Sequence, residues 1–195
     1  MLRAALASVV MIVASTIVLG FAYPALMTGV GSVAFPHQAA GSLIEQNGTT
    51  VGSSLAAQAF TSPRYFHERP SATSPAYNAA GTSFLNLGPT NPALAKLVAA
   101  NAHAILQLER PYNPSLTIHD IPVDAVVPSG SGIDPEISLA YAQLQARRVA
   151  AVRQLPLSTV QTLIRANTDG RTLDFLGEPG VNVLELNLAL DRTGH

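Results

Sequence analysis

The chain has no cysteine and no tryptophan. Without cysteine there are no disulfides and no thiolate metal ligands, and the redox compartment cannot be read from the sequence. Charge is scarce as well. Only 12% of the 195 residues are Asp, Glu, Lys or Arg, so partners are expected to cover much of the surface. Eleven basic and 12 acidic residues leave a net charge of −1, which excludes the basic footprint of a nucleic-acid binder. Catalytic signatures are missing too. No GxxxxGK[ST] loop and no HExxH pair occur, and His37, His67, His103, His119 and His195 are scattered rather than spaced as metal ligands. His119-Asp120 could complete a hydrolytic triad with Ser131, but Gly130-Ser131-Gly132 lacks the GxSxG elbow. Ser129, Gly130, Ser131 and Gly132 read as a tight turn before a helix, and are weak candidates for an anion cradle built of backbone N–H groups. Glu178-Pro179-Gly180 reads as a turn rather than a general acid. The expectation is no catalytic residue, no metal and no directly bound cofactor.

What is present in quantity is apolar sequence at the start. No formal charge other than His37 falls between Arg3 and Glu45, and Ala4 to Tyr23 is broken only by Ser8, Ser15, Thr16 and Gly20. A helix of about twenty residues rises about 30 Å, the thickness of a bilayer's hydrocarbon core. A soluble helix would need a polar face, and this one has none. Two readings compete. A cleaved signal peptide would use Gly20-Phe21-Ala22 as its small-x-small site. A retained anchor better explains why the apolar run continues through Ala25, Leu26, Met27, Val30, Val33 and Phe35. The anchor is favoured, over residues 4–33 with a core of 4–23. Ala7, Ala14, Ser15 and Gly20 are candidates for a small-residue packing face in lipid. Arg3 and the amino terminus hold the positive charge, and the next Lys or Arg is Arg64. The N-terminus is therefore expected in the cytoplasm and residues 38–195 outside it, as a single extracytoplasmic domain.

Within that domain, Gly41 to Glu45 and Thr49 to Gly52 flank Gln46-Asn47-Gly48 and predict a β-hairpin. Thr50-Val51-Gly52 is faintly like a potassium-filter run, but a filter needs several re-entrant copies. From Phe60 to Pro92, five prolines with Gly81 and Gly88 exclude long helices and strands. Tyr65, Phe66, Tyr77, Phe84 and Leu85 argue for order there, since aromatics bury something. Asn91-Pro92 predicts a helix start, with Leu94, Leu97, Val98, Ala102, Ile105 and Leu108 facing inward as far as Glu109. A strand is expected over 121–127 and a helix capped by Ser138 to about Leu155, its later arginines favoured by the dipole. A shorter helix with a Ser158/Gln161 capping box should end near Asn167. Val181 to Asp191 alternates like a strand but carries Asn182, Glu185 and Gly194 as helix caps; helix is slightly favoured. The fold class is α+β on a single N-terminal transmembrane helix.

Four motifs in order carry a resemblance: Phe66-His67-Glu68-Arg69-Pro70-Ser71-Ala72, Asn86-Leu87-Gly88-Pro89-Thr90-Asn91-Pro92, Ser129 to Ser138, and Leu176-Gly177-Glu178-Pro179 with Val181 to Asp191. With the apolar segment in front, the chain resembles the C subunit of the bacterial Kdp potassium-transporting P-type ATPase. Phe84-Leu85, Glu136 and Gly180 depart from that family's pattern, where small residues, His and Arg are usual. The resemblance implies a non-catalytic subunit of an inner-membrane potassium pump. Its partners would be an ATPase chain, a potassium-channel-like chain and the lipid bilayer, with no nucleic acid. It further implies that ATP is met through the complex, and that the subunit stabilises the complex and acts as a catalytic chaperone raising the ATPase chain's affinity for ATP. In the long loop, Arg69, Pro70, Tyr77, Asn78, Asn86, Gly88, Thr90 and Asn91 are the interface candidates. The alternative reading is an exported hydrolase or binding protein with a cleaved signal peptide.

Overall fold

The computed structural model describes residues 1–193 and divides into two units, the first spanning Met1–Leu43 and the second beginning at Ile44. The first unit is helical: α1 over Leu2–Ile17, a π-helical turn over Val18–Ala22, α2 over Tyr23–Ala34 and the single turn α3 over Pro36–Ala39. Leu2–Ala34 runs 33 residues with mean hydropathy 2.4, long and apolar enough to cross a membrane. Two of the three hydroxyls inside α1 are satisfied by its own backbone, Ser8 donating to the Ala4 carbonyl and Thr16 to that of Ile12. The π-helical widening immediately precedes Pro24, whose ring crowds the carbonyl four residues back and which has no N–H to offer.

The second unit takes its order from punctuation as much as from propensity. Strands β1 (Leu43–Gln46) and β2 (Thr49–Ser53) pair as a hairpin, and Asn47 (φ 52) and Gly48 (φ 75) both take the left-handed conformation that a tight I′ turn requires. Residues 57–91 hold no helix or strand, as the prolines dictate. Helix α4 (Pro92–Glu109) starts where Asn91 Oδ1 accepts from the Ala93 N–H. Its buried residues are Ala102, Ile105, Leu106 and Glu109; Leu94, Leu97, Val98 and Leu108 are only half-buried.

The strand expected over 121–127 does not form. That segment contains a 3₁₀ turn (Ile118–Asp120) and the short helix α5 (Val123–Val126). Asp120 accepts from the backbone and hydroxyl of Thr117, closing a capping box, and Pro122 and Pro128 bracket the turn that follows. Tight local hydrogen bonding overrides the β-branched composition. Strand β3 (Glu136–Ser138) was not expected; it leads into α6 (Leu139–Arg153), which Ser138 caps through the Tyr141 N–H. Helix α7 (Leu157–Ala166) ends at Asn167 as anticipated, but Pro156 rather than Ser158 precedes it, so no capping box exists. Strands β4 (Thr168–Asp169) and β5 (Gly180–Asn182) complete an antiparallel sheet in the order β3-β5-β4, with Ile137 opposite Val181. The tail is helix: α8 (Val183–Thr193), with Asn182 Oδ1 accepting from the Glu185 N–H. Gly194, the other cap anticipated there, lies outside the described residues.

The core gathers Phe66, Ile137, Val149, Val160, Ile164, Val181, Leu186 and Leu190 between the sheet and helices α4, α6, α7 and α8. The hairpin packs on the start of α8 at Gly52, where a Cβ would stand 2.7 Å from Cδ2 of the buried Leu184. This is an α+β domain following one long apolar helix.

Candidate functional site

The long loop is fixed by side chains rather than by strand partners. Phe66 exchanges both its backbone hydrogen bonds with the Asn187 amide, donating to Oδ1 (2.8 Å) and accepting from Nδ2 (3.0 Å). His67 does the same with Gln145, at 2.8 and 3.0 Å. Two amide side chains thus stand in for the neighbouring strand that the prolines forbid. Arg148, fully buried, donates to the carbonyls of Pro63 and Tyr65, to Gln145 Oε1 and to Glu109 Oε1. Residues 63–67 are therefore clamped from two helices, α6 and α8, with Glu109 of α4 holding Arg148 from behind. Burial raises the Glu109 carboxyl while the Arg148 charge pulls it down. Burial and the same guanidinium hold His67 below the usual imidazole range.

Beyond the clamp the chain is locked by small hydroxyls. Arg69 Nη1 lies 2.9 Å from Asp134 Oδ2, and its carbonyl accepts from the Tyr77 hydroxyl. Ser71 Oγ donates to the Gly132 carbonyl (2.6 Å) and accepts from the Tyr77 N–H, while Thr73 Oγ1 donates to the Pro75 carbonyl and accepts from the Asn78 N–H. The Ser129–Gly132 turn serves as the floor of this loop. Ser83 N–H donates to the Ser131 carbonyl, and Gly132 (φ +74) leaves no room for a Cβ, which would stand 2.7 Å from Ser83 O and from Thr73 Cγ2. Within the turn, the Gly132 N–H is taken by Ser129 Oγ and the Ile133 N–H by Ser131 Oγ. His119 and Asp120 belong to the 3₁₀ turn, where Asp120 is engaged with Thr117.

The eight interface candidates separate into two groups. Arg69, Pro70, Tyr77, Asn78 and Asn91 are half-buried; Arg69, Tyr77, Asn78 and Asn91 hold the loop or cap α4. Asn86, Gly88 and Thr90 are exposed, beside Phe84 (58% exposed) and Leu85.

Two features of this region are absent from the motif reading. Glu68 is buried with no hydrogen-bond partner among the described residues, and burial together with the Asp134 charge pushes its carboxyl up to about 9. The Gln58 backbone N–H opposes this without forming a bond. In turn, burial and Glu68 raise the Tyr77 hydroxyl to about 12. An open cleft of about 460 Å³ lies alongside, lined by Arg69, Asp124, Asp134, Glu136 and Glu178 among others. Here the two departures at positions 136 and 180 meet: a Cβ on Gly180 would overlap the Glu136 carboxylate. A larger residue at 180 therefore requires the side chain at 136 to move or differ.

The buried pair Glu109–Arg148 also escaped the motif reading. Its signal was present in the sequence, because Glu109 falls three and four residues after the buried Leu106 and Ile105, on the apolar stripe of its helix.

Together these features define a class: an α+β domain with a side-chain-locked surface loop, in a chain whose N-terminal helix has the length and polarity of a single membrane span. No group of three or more His, Asp or Glu suited to a metal occurs among the described residues. The family model described as "K+-transporting ATPase, c chain" matches residues 5–192, so the chain belongs to that family, the KdpC subunits of the Kdp potassium-transporting ATPase. It is 50% identical over 185 residues to the Potassium-transporting ATPase KdpC subunit of Methylococcus capsulatus, covering 94% of this chain and 95% of the relative. The same-named proteins of Burkholderia orbicola (53% over 184 residues; 94% and 93%) and Mycobacterium bovis (47% over 193 residues; 98% and 100%) are similar over comparable spans.

Proposed function

We propose that this chain is a non-catalytic accessory subunit of a high-affinity, ATP-driven potassium uptake pump. It is anchored in the inner membrane by Leu2–Ala34 as a single span, with the N-terminus in the cytoplasm and the domain outside. Its partners are the pump's ATPase chain and its potassium-channel-like chain. The family match over residues 5–192 carries this reading. The charge asymmetry supports the orientation, since Arg3 precedes the apolar helix and no Lys or Arg recurs before Arg64.

The loop over 60–92 makes the outer contact, with Phe84, Leu85, Asn86, Gly88 and Thr90 as its face and the Arg69–Asp134 pair setting its shape. A loop locked before binding loses little further entropy on docking. An effect on the ATPase chain's affinity for ATP then reaches across the membrane through the complex, by stabilising one of two states more than the other. Direct contact between nucleotide and Ser129 to Gly132 is disfavoured by this topology, and the N–H groups of Gly132 and the adjoining Ile133 are already engaged.

The test is a reporter active only outside the cytoplasm, fused after Asp191. It should be active; activity from a cytoplasmic reporter alone would reverse the orientation and reopen direct nucleotide binding.

A further inference from the structure

Between β4 and β5 the chain forms a finger over residues 170–178. Thr172 and Leu176 exchange backbone hydrogen bonds at 2.9 Å in each direction, and Arg171 Nη2 donates to both carboxylate oxygens of Glu178 at the finger's base. Leu173 (φ 54), Asp174 (φ 66) and Gly177 (φ 83) all take the left-handed conformation. For a residue with a Cβ this costs on the order of 1 kcal/mol. The conformation displays Leu173 at 74%, Phe175 at 66% and Leu176 at 49% exposure. Neither backbone preference at Leu173 nor burial explains three large apolar side chains held out on this turn, and exposed apolar clusters of this kind mark interaction sites.

The surroundings select the occupant. Glu178 belongs both to the finger and to the open cleft, where Asp124, Asp134, Glu136 and Glu178 face Arg69 as the one cation of the lining. Asp134 is paired with Arg69 and Glu178 with Arg171, while Asp124 accepts from Ser138; burial, then Asp169 and Asp134, raise the Glu136 carboxyl. With two of its four carboxylates paired to arginines, the cleft keeps an excess of negative charge through Asp124 and Glu136. A membrane surface does not match, because Asp174 sits between Leu173 and Phe175 and a carboxylate taken into lipid costs several kcal/mol. A second copy matches less well, since a two-fold contact that paired the clefts would set acid against acid.

We infer that the finger docks another polypeptide of the same complex, seating Leu173 and Phe175 in an apolar pocket while an Arg or Lys of that polypeptide enters the acidic cleft. The inference rests on the subunit reading above and adds a second contact, separate from the 60–92 loop.

Two measurements on the full chain in the intact membrane complex test it. With Phe175 replaced by p-benzoylphenylalanine, irradiation should join the chain to a partner-polypeptide peptide containing Arg or Lys. The double variant Leu173→Ser/Phe175→Ser, altered only at exposed positions, should keep its unfolding temperature while recovery of partner chains falls about tenfold or more, roughly 1.4 kcal/mol per tenfold. If the complex is recovered intact but Phe175 crosslinks only lipid, a second copy or nothing, the finger is not a docking element, while the subunit reading stands. If the unaltered chain brings down no partner at all, the subunit reading fails and this inference fails with it.

Discussion

Arg148 Nε lies 2.8 Å from Glu109 Oε1 with side-chain exposures of 0% and 2%, placing an ion pair inside the α4–α6 contact. Its remaining donors hold the Pro63 and Tyr65 carbonyls, so the pair links the helical core to the loop. Arg148→Met should destabilise the full chain by about 3–5 kcal/mol, because it strands a buried carboxylate. Adding Glu109→Gln should recover part of that loss, and denaturant unfolding in detergent measures both. A double variant no more stable than Arg148→Met would show that the carboxylate was not the source of the cost.

Glu68 sets a pH dependence. Its carboxyl is raised from 4.5 to about 9 in the fold, chiefly by burial, so the folded chain holds a proton that the unfolded chain releases. The stability this protonation provides is complete below about pH 4.5, declines as pH rises, and is gone above about 9. Glu68→Gln keeps the shape of the protonated acid and removes the titration. The variant should unfold at a higher temperature than the parent at pH 8, with the gap closing toward pH 4.5. A parent-to-variant difference independent of pH would contradict this assignment.

Gly132→Ala adds a Cβ against Ser83 O and Thr73 Cγ2 at a positive φ. The expected cost is on the order of 1–3 kcal/mol, concentrated where the turn meets residues 71–83. Limited proteolysis should cut the variant within that loop faster than the parent, and equal cutting rates would contradict the floor role.

The anchor offers a cleaner test, because its residues are exposed along the whole helix. A Cβ at Gly20 would meet nothing nearer than Thr16 Cγ2 at 3.8 Å, so a larger side chain fits within the chain itself. Any loss of complex on Gly20→Leu, or on replacing the span by poly-Leu, therefore reports packing against a partner helix. Both changes should weaken recovery of the complex and potassium uptake. Full recovery with poly-Leu would reduce the helix to a tether and remove Ala7, Ala14, Ser15 and Gly20 as a packing face.

Sequence made the punctuated parts of this fold legible. Asn47-Gly48 marked the hairpin, Asn91-Pro92 and Ser138 marked two helix starts, and the prolines marked the loop, since each acts on its immediate neighbours. Sequence failed where a distant partner decides. The run over 121–127 has strand composition but sits in capped turns, and Pro156 took over the start that Ser158 was expected to make. The site was half visible. The motifs around Arg69 and Ser129–Gly132 come together as the sequence could only suggest, yet the amides of Gln145 and Asn187 that hold His67 and Phe66 lie 78 and 121 residues from them. The finger was hard to see because Asp174 alone in Leu173-Asp174-Phe175 tolerates the left-handed conformation, whereas Leu173 does not.

The central claim is that the chain stays whole, remains in the membrane and belongs to the potassium pump. The most direct test is intact-mass analysis of the tagged full-length chain purified from its own membranes, together with whatever accompanies it. An uncut N-terminal segment is expected, with co-purification of the ATPase chain and the channel-like chain. A chain beginning near Tyr23, recovered alone from the extracytoplasmic fraction, would contradict it and support an exported protein with a cleaved leader.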